Sequence, residues 1–296
     1  MLNQGYRYRH VIGPEGKNIP LLAYLAQNFN HSNETEWAQR LADGELELDG
    51  SVIGANLSLR PGQVLVWNRP GWTEEETPQS YTVLWQDDHL VAVNKPSGLP
   101  TLPGAGFFQN TLLSLVVREF PAARPLHRLG RATSGVVLFG LTPEATSLLL
   151  RDWSGMEKQY LALGSGIADQ ELLDIRTPIG EMHHPRLGKV FAANTAGKPS
   201  RSVARVVERR LDSTLFQVDL LTGRPHQIRI HLASVGHPLV GDPLYTHGGV
   251  PKTESPGLPG DGGYWLHARR VVFRHPISHQ QMAIEAPVPA PLMAGR

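Results

Sequence analysis

The chain has 296 residues, 41% of them hydrophobic and 19% charged, with a formal net charge of +1. That length suffices for one large domain or a large and a small one, and near neutrality means that a polyanion must be met by a local patch rather than a global field. The absence of cysteine excludes disulfides, thiolate metal sites and cysteine nucleophiles.

The first sixteen residues, MLNQGYRYRHVIGPEG, lack an apolar core of signal-peptide length, and no stretch is long and apolar enough to span a bilayer. A cytoplasmic protein without membrane association is the expectation. Ile19 to Phe29 carries apolar residues at helical spacing. Asn33 followed by Glu36 is a capping-box pattern that starts a second helix, with Trp37 and Leu41 on one face and Gly44 at its exit. Glu45 to Leu48 alternates, Asp49-Gly50 signals a hairpin turn, and Val64 to Trp67 reads as a strand. These elements define a small unit over residues 1–68. The string NRPGWTEEETPQS breaks every period and predicts a linker over residues 69–80.

Residues 81–296 form the larger domain. Tyr81–Trp85 and Leu90–Asn94 read as strands, Leu112–Phe120 as a helix, Val136–Phe139 as a strand and Glu144–Arg151 as a helix. Gln159–Leu163, Ser202–Glu208, Leu215–Leu221 and Val271–Arg274 read as further strands. Thr246 to Gly263 is too rich in glycine and proline for a regular element and reads as a long surface loop. Strands dominate and helices do not alternate with them, which predicts an α+β fold around a mixed, largely antiparallel sheet.

Phosphate-binding, dinucleotide-binding and zinc-protease strings are absent. His226 and His231 stand five apart, which suits neither one helix face nor one strand face, and His183-His184 have no carboxylate at ligand spacing, so no metal site is expected. Three longer strings are specific: DDHLVAVNKPSGLPT from Asp87, RPLHRLGRATSGVVLFGLT from Arg124 and LLTGRPHQIRIHLASVGHPLVGDPLY from Leu220, with EKQYLAL between them and WLHARRVVFRHP closing the series. In this order and spacing the chain resembles the RluA-type RNA pseudouridine synthases. The small N-terminal unit resembles, more weakly, the helix-rich RNA-binding module that many of them carry; its Glu34–Asp49 stretch is acidic, so modest RNA affinity is expected of it.

The resemblance implies isomerisation of a uridine within rRNA or tRNA: the bond from N1 to the sugar breaks, the base turns, and C5 is joined instead. It implies neither cofactor nor metal, an RNA partner, and a monomer. Tyr160 resembles the tyrosine that stacks on the base, and Arg224 the arginine that pairs with a catalytic carboxylate. His127, Arg128, Thr133 and Ser134 resemble the shell of the catalytic loop, and Lys95 reads equally as a phosphate contact or as a strand-end cation. Arg201, with Arg205 and Arg209, is expected to form a phosphate-facing stripe. One position departs from the family: Gly130 stands where the catalytic aspartate is expected. Two readings follow, a synthase whose carboxylate is relocated, with Asp242 as first candidate although it reads more readily as a structural turn aspartate, or an RNA-binding protein on a synthase scaffold. On either, Arg224 is expected to face Gly130 and hold an acidic group there, and a positive φ is one further reason for glycine at that place.

Overall fold

The computed structural model describes residues 2–29 and 31–295. The chain divides into two compact units, Met1–Glu74 and Glu75–Arg296.

In the first unit, α1 (Leu21–Asn28) and α2 (Glu34–Ala42) pack on a four-stranded antiparallel sheet of β1 (Tyr6–Val11), β2 (Leu46–Leu48), β3 (Ser51–Val52) and β4 (Val64–Arg69), in the order β1-β4-β2-β3. Helix α2 begins with the capping box read from the sequence: the Glu36 amide donates to Asn33 Oδ1 and the Asn33 amide to Glu36 Oε2. The Asp49-Gly50 turn has positive φ at both residues, the geometry that matches strand twist in a tight hairpin. Leu21, Tyr24, Leu25, Trp37 and Leu41 bury against Leu46, Leu65 and Trp67. Strand β1, unanticipated because Tyr-Arg-Tyr-Arg has no buried alternation, is an edge strand whose Tyr6 and Tyr8 stay exposed. Tyr8 stacks on Trp67, and the Arg69 guanidinium lies over Trp72 at 3.4 Å.

The expected linker is not a free segment. Its first part belongs to the N-terminal unit, where the Asn3 amide donates to the Trp72 carbonyl and Asn3 Nδ2 to Glu74. From Glu75 onward it belongs to the larger unit: the Glu75 carboxylate pairs with Arg131, and its carbonyl accepts from Asn110. Local side-chain contacts on either side of Glu74–Glu75 thus overrule the proline and glycine content.

The larger unit contains β5 (Thr82–Gln86), β6 (Leu90–Lys95), α3 (Leu112–Glu119), β7 (Arg124–Pro125), β8 (Ser134–Gly140), α4 (Pro143–Arg151), β9 (Glu157–Ser165), β10 (Leu172–Ile175), β11 (Ile179–His184), β12 (Gly188–Ala193), β13 (Ser202–Arg209), β14 (Ser213–Leu220), α5 (Gln227–Ser234), β15 (Tyr245–Thr246), β16 (Val250–Pro251), β17 (Leu266–Arg274) and β18 (Gln281–Glu285). A ten-stranded sheet runs β10-β13-β14-β9-β17-β8-β6-β5, with β18 on β17 and β7 on β8. Its named pairings are antiparallel except β17 with β8, which makes the α+β, mixed and largely antiparallel expectation correct.

Period-two burial places helices on both faces. Leu90 and Ala92 turn towards α4, whose Ala145 and Leu149 they meet, while Val91 and Val93 turn towards Leu112, Leu115 and Val116 of α3. Thr111 and Thr142 cap these helices by accepting the Ser114 and Ala145 amides. Helix α5 packs Ile228 and Leu232 on Ala162, Ala204, Phe216 and Val218. It was not foreseen because Gln227 to Ala233 is buried all round and shows no amphipathic period.

Strand β17 organises the site. Its start runs parallel to the start of β8, with His267 opposite Ser134 and Ala268 opposite Gly135. Gly135 has φ +112°, and a Cβ there would lie 2.2 Å from the Ala268 carbonyl oxygen, so this crossing demands glycine. A second close approach lies just before β17: a Cβ on Gly241, at φ +78°, would meet the Gly263 carbonyl oxygen at 2.1 Å. That crossing fixes where Tyr264 enters the domain.

Candidate active site

The loop between β7 and β8 is held by two buried polar side chains, Lys95 and Thr101, and by the exposed Ser97. Lys95 is fully buried, and its Nζ donates to the carbonyls of Pro96, Leu99 and Arg131 at 2.9, 2.6 and 3.0 Å. Ser97 Oγ donates to the Ala132 carbonyl, and Thr101 Oγ1 to that of Leu129. The phosphate contact expected of Lys95 is therefore corrected: its three donors are spent on backbone, and they tie the end of β6 to the loop. Burial pulls its ammonium down to about 7, against the three carbonyls that favour the charged form.

His127 is a structural residue of the same loop. Its Nε2 accepts the Leu138 amide at 3.0 Å and its ring tilts over Trp153. Burial, with Lys158 adding to it, pushes it down to about 3, so it is neutral. Ser134 Oγ meets His267 Nδ1 at 2.9 Å, and the Thr133 amide donates to the Gly130 carbonyl at 3.0 Å. Arg128 is exposed and, among the described residues, has neither a hydrogen bond nor an ion pair. It lies close enough to His226 to lower that imidazole, which burial, then Arg229, bring to about 4.

Gly130 is exposed, and its φ lies outside the left-handed region, so backbone strain does not explain the glycine. A Cβ built there would lie 3.0 Å from the Tyr264 hydroxyl and 3.5 Å from Thr133 Oγ1. Tyr264 Oη is itself 3.4 Å from Thr133 Oγ1. Above the Tyr264 ring, at 4.3 Å, stands the guanidinium of Arg229.

Arg229 was missed in the sequence and is the buried arginine of the site. From α5 it forms a two-point pair with Asp242, Nε to Oδ2 and Nη2 to Oδ1, both 2.7 Å, with side chains 2% and 1% exposed. Asp242 Oδ1 also accepts the Leu244 and Tyr245 amides. Burial alone would push the Asp242 carboxyl up, but the guanidinium and these amides outweigh it and hold it below the usual carboxylate range. Asp242 is therefore corrected from a relocated catalytic carboxylate to the counter-ion of Arg229. The expected role of Arg224 is corrected too: its Nε and Nη2 donate to the Pro199 carbonyl at 3.3 and 3.2 Å, not to an acid facing Gly130. The signal for Arg229 was a charge inside the otherwise buried run Gln-Ile-Arg-Ile-His-Leu, since an arginine is buried only when paired.

Tyr160 lies at the centre of β9, opposite Val218 and Ala268. It packs against the cluster containing Ala132 and Tyr264 on one side and the one containing Leu129 on the other. Burial pushes its phenol up to about 12, and among the described residues its hydroxyl has no hydrogen-bond partner. Tyr160, Tyr264 and Leu129–Thr133 thus converge, with Arg229 behind Tyr264.

The expected arginine stripe, Arg201 just before β13 with Arg205 and Arg209 on it, already carries acidic partners. Arg201 pairs with Asp174 through both nitrogens, Arg209 with Glu171 at 2.7 Å, and Arg205 approaches Asp219 at 4.0 Å. Each cation faces a carboxylate from a neighbouring strand or loop. A recess of about 640 Å³ between Ala122, Arg124, Pro143 and Leu150 contains none of the site residues.

A mixed sheet crossed by a pinned loop, with a tyrosine and a buried arginine converging on it, defines a pseudouridine-synthase-type protein. The fold matches human RNA pseudouridylate synthase domain containing 1 with a TM-score of 0.58 at 23% identity, over 75% of this chain and 90% of that one. The family of RNA pseudouridylate synthases matches residues 89–234. A Synechocystis protein named as an RNA pseudouridine synthase is 38% identical over 92% of this chain and 95% of its own length. RNA pseudouridine synthase 5 of Arabidopsis thaliana is 36% identical over 97% and 94%, and ribosomal large subunit pseudouridine synthase D of Xanthomonas campestris 33% over 92% and 85%. The chain belongs to the RluA-type family of RNA pseudouridine synthases.

Proposed function

We propose that the protein isomerises a uridine in ribosomal RNA to pseudouridine, acting as a cytoplasmic monomer, with the target nucleotide turned out of its stack onto the surface formed by Leu129–Thr133, Tyr160 and Tyr264. The observation that carries this reading is the loop itself: pinned by Lys95, Ser97 and Thr101, it sets position 130 against the Tyr264 hydroxyl, with Arg229 over the Tyr264 ring. Turning out a base costs a few kcal/mol, and stacking on Tyr160 offsets part of it, at about 1–3 kcal/mol per base. Arg128, exposed beside the loop and unpaired among the described residues, is the phosphate contact this reading selects in place of Lys95. The exposed Tyr6 and Tyr8 of the N-terminal unit support a second contact with single-stranded RNA. Ribosomal rather than transfer RNA is favoured by the relatives named for the large ribosomal subunit.

A second reading, RNA binding without turnover, is favoured by one observation: glycine stands at position 130, and Asp242 is consumed by Arg229. Nucleoside mass spectrometry of ribosomal and transfer RNA incubated with the purified protein separates the two. Pseudouridine appearing in ribosomal RNA is the expected result. Tight binding with no product would establish the second reading, and product in transfer RNA alone would move the substrate.

A further inference from the structure

We propose that the hydroxyl of Tyr264 supplies the reactive oxygen that position 130 lacks; this rests on the pseudouridine synthase reading above. The geometry pairs the two residues. The Tyr264 hydroxyl fills the space that a side chain at 130 would enter: a Cβ on Gly130 would lie 3.0 Å from its oxygen, tighter than an ordinary contact, so the two compete for one place. Tyr264 is held there by the Gly241–Gly263 crossing, by the Arg229 guanidinium over its ring, and by contact with Thr133 Oγ1 at 3.4 Å. Asp242 is held by Arg229 and Glu75 by Arg131, while Asp261 accepts the Leu258 amide at 2.7 Å. An aromatic oxygen suits the task, since some glycosidases use tyrosine as the nucleophile at a sugar carbon.

The steps balance as follows. The Tyr264 phenol releases its proton to solvent through the opening at Gly130, and its oxygen bonds to the sugar C1′. The C1′–N1 bond breaks, and its electron pair stays on the uracil as an N1 anion. The base turns within the site, C5 bonds to C1′, and the C1′–Oη bond breaks, returning its pair to the tyrosine. C5 then loses its proton, N1 gains one, and the phenolate is reprotonated. No oxidant, reductant or second reactant is needed.

The test uses the full-length protein, ribosomal RNA and the same nucleoside readout, with RNA affinity and thermal stability measured alongside. Tyr264→Phe keeps the ring under Arg229 and removes only the oxygen. It is expected to fold as the parent, bind RNA as the parent and form product roughly 1,000-fold more slowly or worse. The double variant Gly130→Asp with Tyr264→Phe, which returns a carboxylate to the vacated place, is expected to recover turnover. A Tyr264→Phe protein as active as an active parent would overturn the proposal while leaving the pseudouridine synthase reading intact. Activity kept in Tyr264→Phe and lost in Asp261→Asn would overturn it in favour of the carboxylate three residues before. A parent that binds RNA and makes no product would sink the synthase reading itself, and this assignment with it.

Discussion

Arginine meets carboxylate in two very different regions of this protein. Just before and along β13, Arg201, Arg205 and Arg209 face Asp174, Asp219 and Glu171 in solvent, with side chains 45%, 56% and 34% exposed. Beneath Tyr264, Arg229 and Asp242 make a two-point pair that water does not reach. The exposed pairs are screened, flexible and worth little, so a phosphate can displace their acids at small cost. The buried pair stabilises little more than an apolar pair would, yet neither member can be removed alone, because the survivor would be a bare buried charge. The contrast explains why the site keeps Asp242 although it is no nucleophile.

Breaking the buried pair should have the largest effect. Asp242→Ala is expected to destabilise the protein by about 3–5 kcal/mol in denaturant unfolding, while Arg229→Met combined with Asp242→Leu recovers much of the loss. A single variant as stable as the double would remove the coupling argument. Lys95→Met comes next. It strips three loop carbonyls of their donor, and is expected to cost about 2–4 kcal/mol and to lower product formation, since the loop carrying Gly130 loses its anchor.

Acid should act on the buried histidines before it acts on the exposed pairs. His127 and His226 are held neutral, at about 3 and about 4 against 6.5 ordinarily. The unfolded chain therefore binds more protons than the folded one below pH 6.5. Their stabilisation is complete above that value and is lost as pH falls, at about 1.4 kcal/mol per pH unit for each histidine. His127→Gln should flatten the dependence of stability on pH between 6.5 and 4. Asp174, held at about 2 first by Arg201 and then by Arg176, should stay ionised throughout that range.

The smallest effect is expected on the exposed side. Replacing Arg201, Arg205 and Arg209 by glutamine should change stability by less than about 1 kcal/mol per pair. A salt titration of RNA binding then sharpens the comparison. An unchanged slope would show that these pairs stay closed on RNA, and a shallower one that phosphate replaces the acids.

Much of the fold could be read ahead because burial follows simple periods. Leu90–Lys95 and Ser134–Gly140 are apolar runs, α2 carries its capping box, and Asp49-Gly50 its turn. Of the residues singled out from the strings, Tyr160 and Thr133 do lie with Tyr264 and the β7–β8 loop, whereas the partners of the charges were illegible. Arg224 and Arg229 stand five residues apart in one string, and nothing local separates the half-buried one from the fully buried one. Helix α5 does, by turning Arg229 towards the Asp242 loop and leaving Arg224 before its first turn at the Pro199 carbonyl.

The sequence by itself determined the family, the α+β class, the helix caps and the absence of an acid at position 130. Each is a matter of residue type or of spacing within one element. Only the tertiary structure decided that Lys95 anchors a loop, that Asp242 serves Arg229, and that the Tyr264 hydroxyl stands beside Gly130, because each joins residues from separate elements. The Gly130–Tyr264 meeting spans 134 positions of chain. It exists because β17 returns alongside β8, and because two glycines let the backbone at 241 and 263 cross without a Cβ between them.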